Sequence, residues 1–337
     1  MKIAFLTEMG FEGKIPDNHT NMRTEFAWMN ALNADHYNIQ NYNLIKNYDI
    51  VIILFPQGNV MVDCHGIEIA SRKYDVLASI LETDLVNILK SNNKIVCHMQ
   101  EGPIWLFNEY DLTVQFNYFN KLNDFDLLLA HNKSDVLWYK GLFPNKSIEV
   151  MPTLMIEYHL QNIKESKTNN VIIGGNFSRW YGGFQSFIVA NEFDGKKWTQ
   201  DSHSKRTNEE YIEGLNHLPR LMWIDWMKQL STFKYAIHLM PTVAAGTFSL
   251  NCAYFGIPCI GNKKLDTQNL CHPDLSVDPE DIDTARQLAY QLNTDTDFFM
   301  HCSKIAKENY TKYYDLKIWK SNMYDIFNKN INLKENI

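Results

Sequence analysis

The chain has 337 residues, 45% apolar and 21% charged, with a formal net charge of −7, which is enough material for two buried cores at about 150 residues per domain. Apolar runs such as Ile50 to Phe55 fall far short of the roughly 20 residues of a membrane-spanning helix, so a membrane partner is not expected. The acidic balance argues against a large constitutive nucleic-acid surface, which would need clustered Lys and Arg, and leaves room only for a local basic groove.

From the N-terminus, Met1-Lys2-Ile3-Ala4-Phe5-Leu6-Thr7-Glu8 meets an acid after four apolar residues and reads as a first strand, not as the apolar centre of a signal peptide. Residues 1 to 150 then repeat one rhythm: a short Ile/Val/Leu run, a polar or glycine-containing turn, and a helically spaced stretch. That is the pattern of parallel α/β units. Strands are expected at Lys2 to Leu6, Ile50 to Phe55, Lys94 to His98, Leu127 to His131 and Ile148 to Met151. Helices are expected at Asn21 to Leu32, with Met22, Phe26, Met29 and Leu32 on one stripe, and at Lys73 to Lys90. Ligands of open parallel sheets bind at the carboxyl ends of the strands, so Glu8, Pro56-Gln57-Gly58, Gln100-Glu101-Gly102 and His131-Asn132 should share one edge.

Residues 152 to 170 turn polar, as a linker would. A second start follows, with strands at Val171 to Ile173, Tyr235 to Met240 and Pro258 to Gly261, and helices at Phe184 to Asn191 and Phe248 to Phe255. The aromatic, amphipathic stretch from Ser303 to Asn328 reads as one or two helices. The expected organisation is an N-terminal Rossmann-like domain over 1–155 and a second over 165–302, facing across a central cleft. Helices over 303–337 are free to pack back on the first domain. Cys64, Cys97, Cys252, Cys259, Cys271 and Cys302 include no C-x-x-C pair, so neither a disulfide framework nor a zinc knuckle is implied, in keeping with a cytoplasmic address. No metal-ligand cluster, Walker loop or nucleophile triad stands out, and no metal or resident cofactor is expected.

Four stretches carry chemistry. Gly10-Phe11-Glu12-Gly13 follows the first strand, where glycine lets backbone approach a ligand and the next helix offers its positive end; Asp17, His19, Asn21 and Arg23 form a polar set behind it. Asn176 to Phe184 brings Arg179 and Tyr181-Gly182-Gly183 between a strand and a helix, suited to a diphosphate because Arg forks onto phosphate oxygens and glycine bares amides. Pro241 to Asn251 is a small-residue loop that opens a helix at Thr247-Phe248-Ser249, and Gly256-Ile257-Pro258 turns that helix back into a strand. This is the layout of a phosphate cradle. Cys97-His98-Met99-Gln100-Glu101-Gly102 ends a strand, so Glu101 is placed for proton transfer, while His98 is either a second such group or a core histidine. Each stretch has a plainer reading as an ordinary surface turn or helix cap.

The block of an Arg turn followed by loop, helix and Gly-Ile-Pro strand resembles GT-B glycosyltransferases. In their large retaining branch two glutamates stand eight apart before a Gly-x-Pro; Val243 and Asn251 occupy those places here. Within that fold the chain is similar to bacteriophage DNA glycosyltransferases that modify 5-hydroxymethylcytosine. The similarity rests on Gly10-Phe11-Glu12-Gly13, Phe26-Ala27-Trp28, His98-Met99-Gln100-Glu101 and the turn from Trp180 to Phe187. It implies transfer from a nucleoside diphosphate sugar as co-substrate, with Arg179, Gly10, Gly13, Arg23, Tyr181, Gly182, Gly183, Thr247, Phe248, Ser249 and Asn251 toward the substrates. An inverting reaction needs a base, Glu101 first and Asp17 second; a retaining front-face route needs those residues only to orient the hydroxyl. Double-stranded DNA as partner calls for a basic rim, for which Lys196-Lys197, Lys205-Arg206 and Lys263-Lys264 are available. A saccharide acceptor and a binding protein without catalysis are the alternatives.

Overall fold

The computed structural model describes residues 1–8, 12–54, 60–62, 68–71, 83–100, 102–104, 111–175, 181–200, 212–219 and 221–335. The chain divides into two compact units, Met1–Met155 with Trp319–Ile337, and Ile156–Ile318. Each is α/β and each is built on its own sheet.

In the first unit the strands are β1 (Ile3–Thr7), β2 (Gly13–Lys14), β3 (Asp35–Asn38), β4 (Ile50–Leu54), β5 (Val60–Val62), β6 (Glu68–Ser71), β7 (Ile95–Met99), β8 (Leu127–Ala130) and β9 (Ser147–Val150). Seven of them form the sheet β2-β3-β1-β4-β7-β8-β9, parallel except where β2 runs against β3. β5 and β6 pair apart from it. Every residue of β1, β4 and β7 is buried, because helices cover both faces of such a sheet; this is why these strands read as mainly apolar runs. The helices are α1 (Thr24–Ala31), α2 (Leu85–Asn92), α3 (Leu112–Leu122) and α4 (Lys133–Leu142).

Helix α1 begins three residues later than expected. Arg23 is extended and bridges Met155, and the amide of Thr24 donates to the Leu154 carbonyl at 2.8 Å. Of the helix expected over Lys73 to Lys90, residues 72–82 lie outside the described residues, and α2 supplies its C-terminal part. The polar strand β3 was not foreseen.

The second unit contains β10 (Thr168–Ile173), β11 (Lys197–Gln200), β12 (Leu215–Leu218), β13 (Phe233–His238), β14 (Cys259–Asn262) and β15 (Ser276–Val277) in the order β12-β11-β10-β13-β14-β15, all parallel. Its helices are α5 (Gly183–Ala190), α6 (Trp223–Leu230), α7 (Thr247–Tyr254), α8 (Asp266–Cys271), α9 (Ile282–Thr294) and α10 (Thr296–Tyr314). The core gathers Val171, Ile173, Val189, Phe193, Tyr235, Ile237 and Ile260, with Phe193 stacked on Tyr235 at 4.2 Å. Strand β10 starts inside the polar stretch expected to be linker, since Thr168 pairs with Phe233.

The C-terminal aromatic stretch forms two helices, α10 and α11 (Leu316–Glu335), parted by Asp315 at ψ 138°. Residues up to Ile318 belong with the second unit and those from Trp319 with the first. There the Nε1 of Trp319 and of Trp28 donate to the same carbonyl, that of Pro152, at 3.1 and 2.9 Å. Lys329 pairs with Glu149 and Lys334 with Asp126.

Candidate active site

In the second sheet the chain runs outward from β10 through β11 to β12, then returns to place β13, β14 and β15 on the other side. Strands β10 and β13 therefore flank a topological switch point, the position at which open parallel sheets take their ligands. Gly174 and Gly175 leave β10, and Leu239, Met240 and Pro241 leave β13.

Two helices begin at this edge. Gly182 caps α5 at φ 65°, and a Cβ there would lie 1.9 Å from the Leu239 carbonyl oxygen. Only glycine fits, and α5 is thereby clamped to the end of β13. The hydroxyl of Ser186 in its first turn accepts from the Leu239 amide at 3.0 Å. Gly183 is buried behind this cap, and Tyr181 lies against Gly175, with burial holding its phenol above the usual range. Gly246 caps α7 at φ 73°, and a Cβ there would meet the Thr267 hydroxyl at 2.1 Å. The first-turn amides of α7 carry the positive end of its dipole. Asn262 Nδ2 donates to Met240 at 2.9 Å and ties the β13 loop to β14.

The expectation for Ser249 needs correcting at the hydroxyl. Its Oγ donates to the Gly246 carbonyl at 3.1 Å and shares a 2.8 Å hydrogen bond with Thr267, so the side chain braces the cap from inside and only its backbone faces the helix end. Thr247 and Phe248 are half-buried. Asn251 is 1% exposed, and its Oδ1 has no partner.

In the first unit the switch point falls between β1 and β4. His98 lies inside β7, fully buried, sharing a 2.7 Å hydrogen bond with the Tyr118 hydroxyl and edge-on to Phe125 and Tyr139. Burial lowers its pKa to about 3. It is a core histidine, and its expected proton-transfer role is corrected on that ground. Asp17 accepts from Asn30 at 3.0 Å, near the far end of α1 and about 9 Å of helix rise from the start of α1, so the structure does not bring it to the sheet edge. Arg23 stands just before α1, donating from Nε to Asn21 Oδ1 at 3.3 Å. Arg23 is exposed and Glu25 half-buried, and partial desolvation by the surrounding protein lowers the pKa of Arg23 and raises that of Glu25, while the attraction between the two opposes both shifts. Gly13 opens β2 at φ 107° with open space around it. Gly10, Glu101 and Arg179 lie outside the described residues.

Two further histidines stand at strand ends: His131, expected at the ligand edge, and His238, which the sequence reading did not single out. His131 follows β8, stacked on Trp28 at 5.8 Å; burial lowers its pKa to about 4, with a hydrogen bond to the Gln100 backbone working the other way. His238 ends β13. The signal available in the sequence was position: each is an imidazole closing an otherwise apolar run. Of the expected basic rim, Lys205 and Arg206 lie outside the described residues. Lys196-Lys197 opens β11 and Lys263-Lys264 follows β14, so in a parallel sheet these pairs sit at opposite edges and form no common patch. Among the described residues no three His, Cys, Asp or Glu side chains gather as metal ligands.

With this geometry the chain has the GT-B glycosyltransferase fold. It superposes on an alpha-glucosyltransferase in complex with UDP and a 13-mer DNA containing an HMU base at a TM-score of 0.64 and 13% identity, over 97% of this chain and 99% of that one. Sucrose-phosphate synthase from Thermosynechococcus elongatus matches at a TM-score of 0.64 and 10% identity, over 97% and 98% of the two chains. TarM of S. aureus, in complex with UDP, matches at 0.58 and 12%, over 82% of this chain and 55% of that one. No protein-family profile and no curated protein sequence matches the chain.

Proposed function

We propose that this protein is a glycosyltransferase that takes a sugar from a UDP-sugar and places it on the hydroxyl of 5-hydroxymethylcytosine in DNA. The observation that carries the donor half is the β10–β13 switch point, where Gly182 starts α5 against Leu239 beyond β13 and Phe248 in the first turn of α7 packs against Gly174 beyond β10. Breaking the bond between the sugar and the diphosphate leaves negative charge on the departing oxygen. The first-turn amides of α7 are fixed by the Gly246–Thr267–Ser249 bonds and stabilise that charge without reorganising. In this reading Arg179, between β10 and α5 in the sequence, adds a charge-assisted contact to the diphosphate. Glu101, two residues beyond the end of β7 in the sequence, orients or deprotonates the acceptor hydroxyl.

The acceptor half is supported by the alpha-glucosyltransferase solved with DNA, which matches over nearly the full length of both chains. A soluble saccharide acceptor is the second reading, favoured by the equal TM-score of sucrose-phosphate synthase and by the acidic net charge. The test is release of UDP from UDP-glucose with hydroxymethylated DNA, unmodified DNA, a sugar phosphate, or no acceptor. Stimulation by hydroxymethylated DNA alone is expected. Stimulation by the sugar phosphate moves the acceptor, and the absence of UDP release under every condition leaves a binding protein. Glu101→Gln is expected to keep UDP affinity and lower transfer at least tenfold, and unchanged transfer removes Glu101 from the site.

A further inference from the structure

A buried imidazole normally finds a partner for at least one ring nitrogen, and the other histidines in these cores do. His98 bonds Tyr118 at 2.7 Å, His36 bonds Thr7 at 2.7 Å, and His272 bonds the Ser249 carbonyl at 3.1 Å. His238 is different: it is 6% exposed, and neither Nδ1 nor Nε2 has a hydrogen-bond partner. Each unsatisfied nitrogen costs stability, and two on one ring need an explanation.

Its surroundings are shaped for it. Gly174 leaves β10 beside it, and a Cβ at that position would lie 2.8 Å from the His238 Cγ and 2.7 Å from the Phe248 ring. The imidazole centroid is 5.0 Å from that of Phe248, which belongs to the first turn of α7. The ring thus lies at the switch-point end of β13, against the helix turn assigned to the diphosphate. Burial keeps it neutral, its pKa lowered to about 4, so it offers one N–H and one lone pair.

We infer that His238 is a donor-binding residue, its ring N–H donating to the diphosphate of the nucleoside diphosphate sugar held at the first turn of α7. This rests on the nucleotide-sugar reading above. A polar group left unpaired until the ligand arrives lowers the stability of the empty protein and strengthens the complex.

His238→Phe keeps a ring and removes both nitrogens. By calorimetry its UDP dissociation constant should rise about tenfold, as loss of one such hydrogen bond implies, while the unliganded variant melts no lower than wild type. Uridine, followed by ligand-observed NMR, should bind both proteins alike. If Phe disturbs the fold, the His238→Gln and His238→Leu pair answers the same question: Gln retains an N–H and should keep UDP affinity within a few-fold, whereas Leu should lose it. Equal UDP affinity in wild type and His238→Phe, or in Gln and Leu, overturns this inference alone. An equal loss for uridine overturns the diphosphate assignment. Wild type that binds no UDP overturns the nucleotide-sugar reading and this inference with it.

Discussion

Gly182 and Ser249 occupy comparable places, each near the start of a helix at the edge proposed to bind the donor, and are constrained in opposite ways. A Cβ on Gly182 has nowhere to go, because the Leu239 carbonyl oxygen would be 1.9 Å away and the backbone sits at φ 65°. Gly182→Ala should cost about 2–3 kcal/mol, read from urea denaturation, through strain that relaxes only if α5 leaves β13. A loss under about 0.5 kcal/mol would contradict the clamp. Ser249 uses its hydroxyl inward on Gly246 and Thr267. Ser249→Ala should therefore cost about 1 kcal/mol of stability and leave UDP affinity unchanged. A tenfold weaker UDP complex would return the hydroxyl to the ligand.

Among the elements, those buried on both faces were the legible ones. β1, β4 and β7 appear in the sequence as mainly apolar runs, with Thr7 and His98 as the polar exceptions, because a parallel sheet covered on both faces favours apolar side chains on both. β3, with the sequence Asp35-His36-Tyr37-Asn38, and β11, beginning at Lys197, escaped notice because their polar residues are satisfied only in three dimensions, as His36 is by Thr7. The start of α1 was displaced by a distant partner, Met155, which holds Arg23 extended. The glycine turns of the site were readable as turns, but which carbonyl each glycine avoids is not written locally. The inward use of Ser249 was hidden for the same reason, since Thr267 lies eighteen residues on. Helix α11 carries its own prediction. Trp319 is 1% exposed and shares the Pro152 carbonyl with Trp28. Trp319→Ala should cost about 3–5 kcal/mol, seen as a lower midpoint for unfolding of the first unit. An unchanged midpoint would mean that α11 is dispensable.

For the whole molecule, His98, with its pKa lowered to about 3, and His131, His238 and His272, each lowered to about 4, are held neutral by burial. Below the ordinary histidine value of about 6.5 the unfolded chain binds protons that the folded chain refuses. Stability is therefore full above about pH 6.5 and falls as the pH drops toward about 4, each histidine adding a slope of about 1.4 kcal/mol per pH unit. Urea midpoints should drop steeply between about pH 7 and about pH 5, and flat midpoints would contradict the burial of these rings. The α/β class followed from the strand and turn pattern of the chain, its GT-B form from the resemblance of the Arg turn and the Gly-Ile-Pro block, and both are met by the GT-B neighbours. The acceptor is a separate matter, because neighbours of equal TM-score are named for different reactions. The most direct test of the account is mass spectrometry of nucleosides from hydroxymethylcytosine-containing DNA after incubation with the protein and a panel of UDP-sugars, beside unmodified DNA. One sugar mass added to the hydroxymethylated base alone is expected. UDP release with no mass added to any nucleoside would contradict it and assign the sugar to another acceptor.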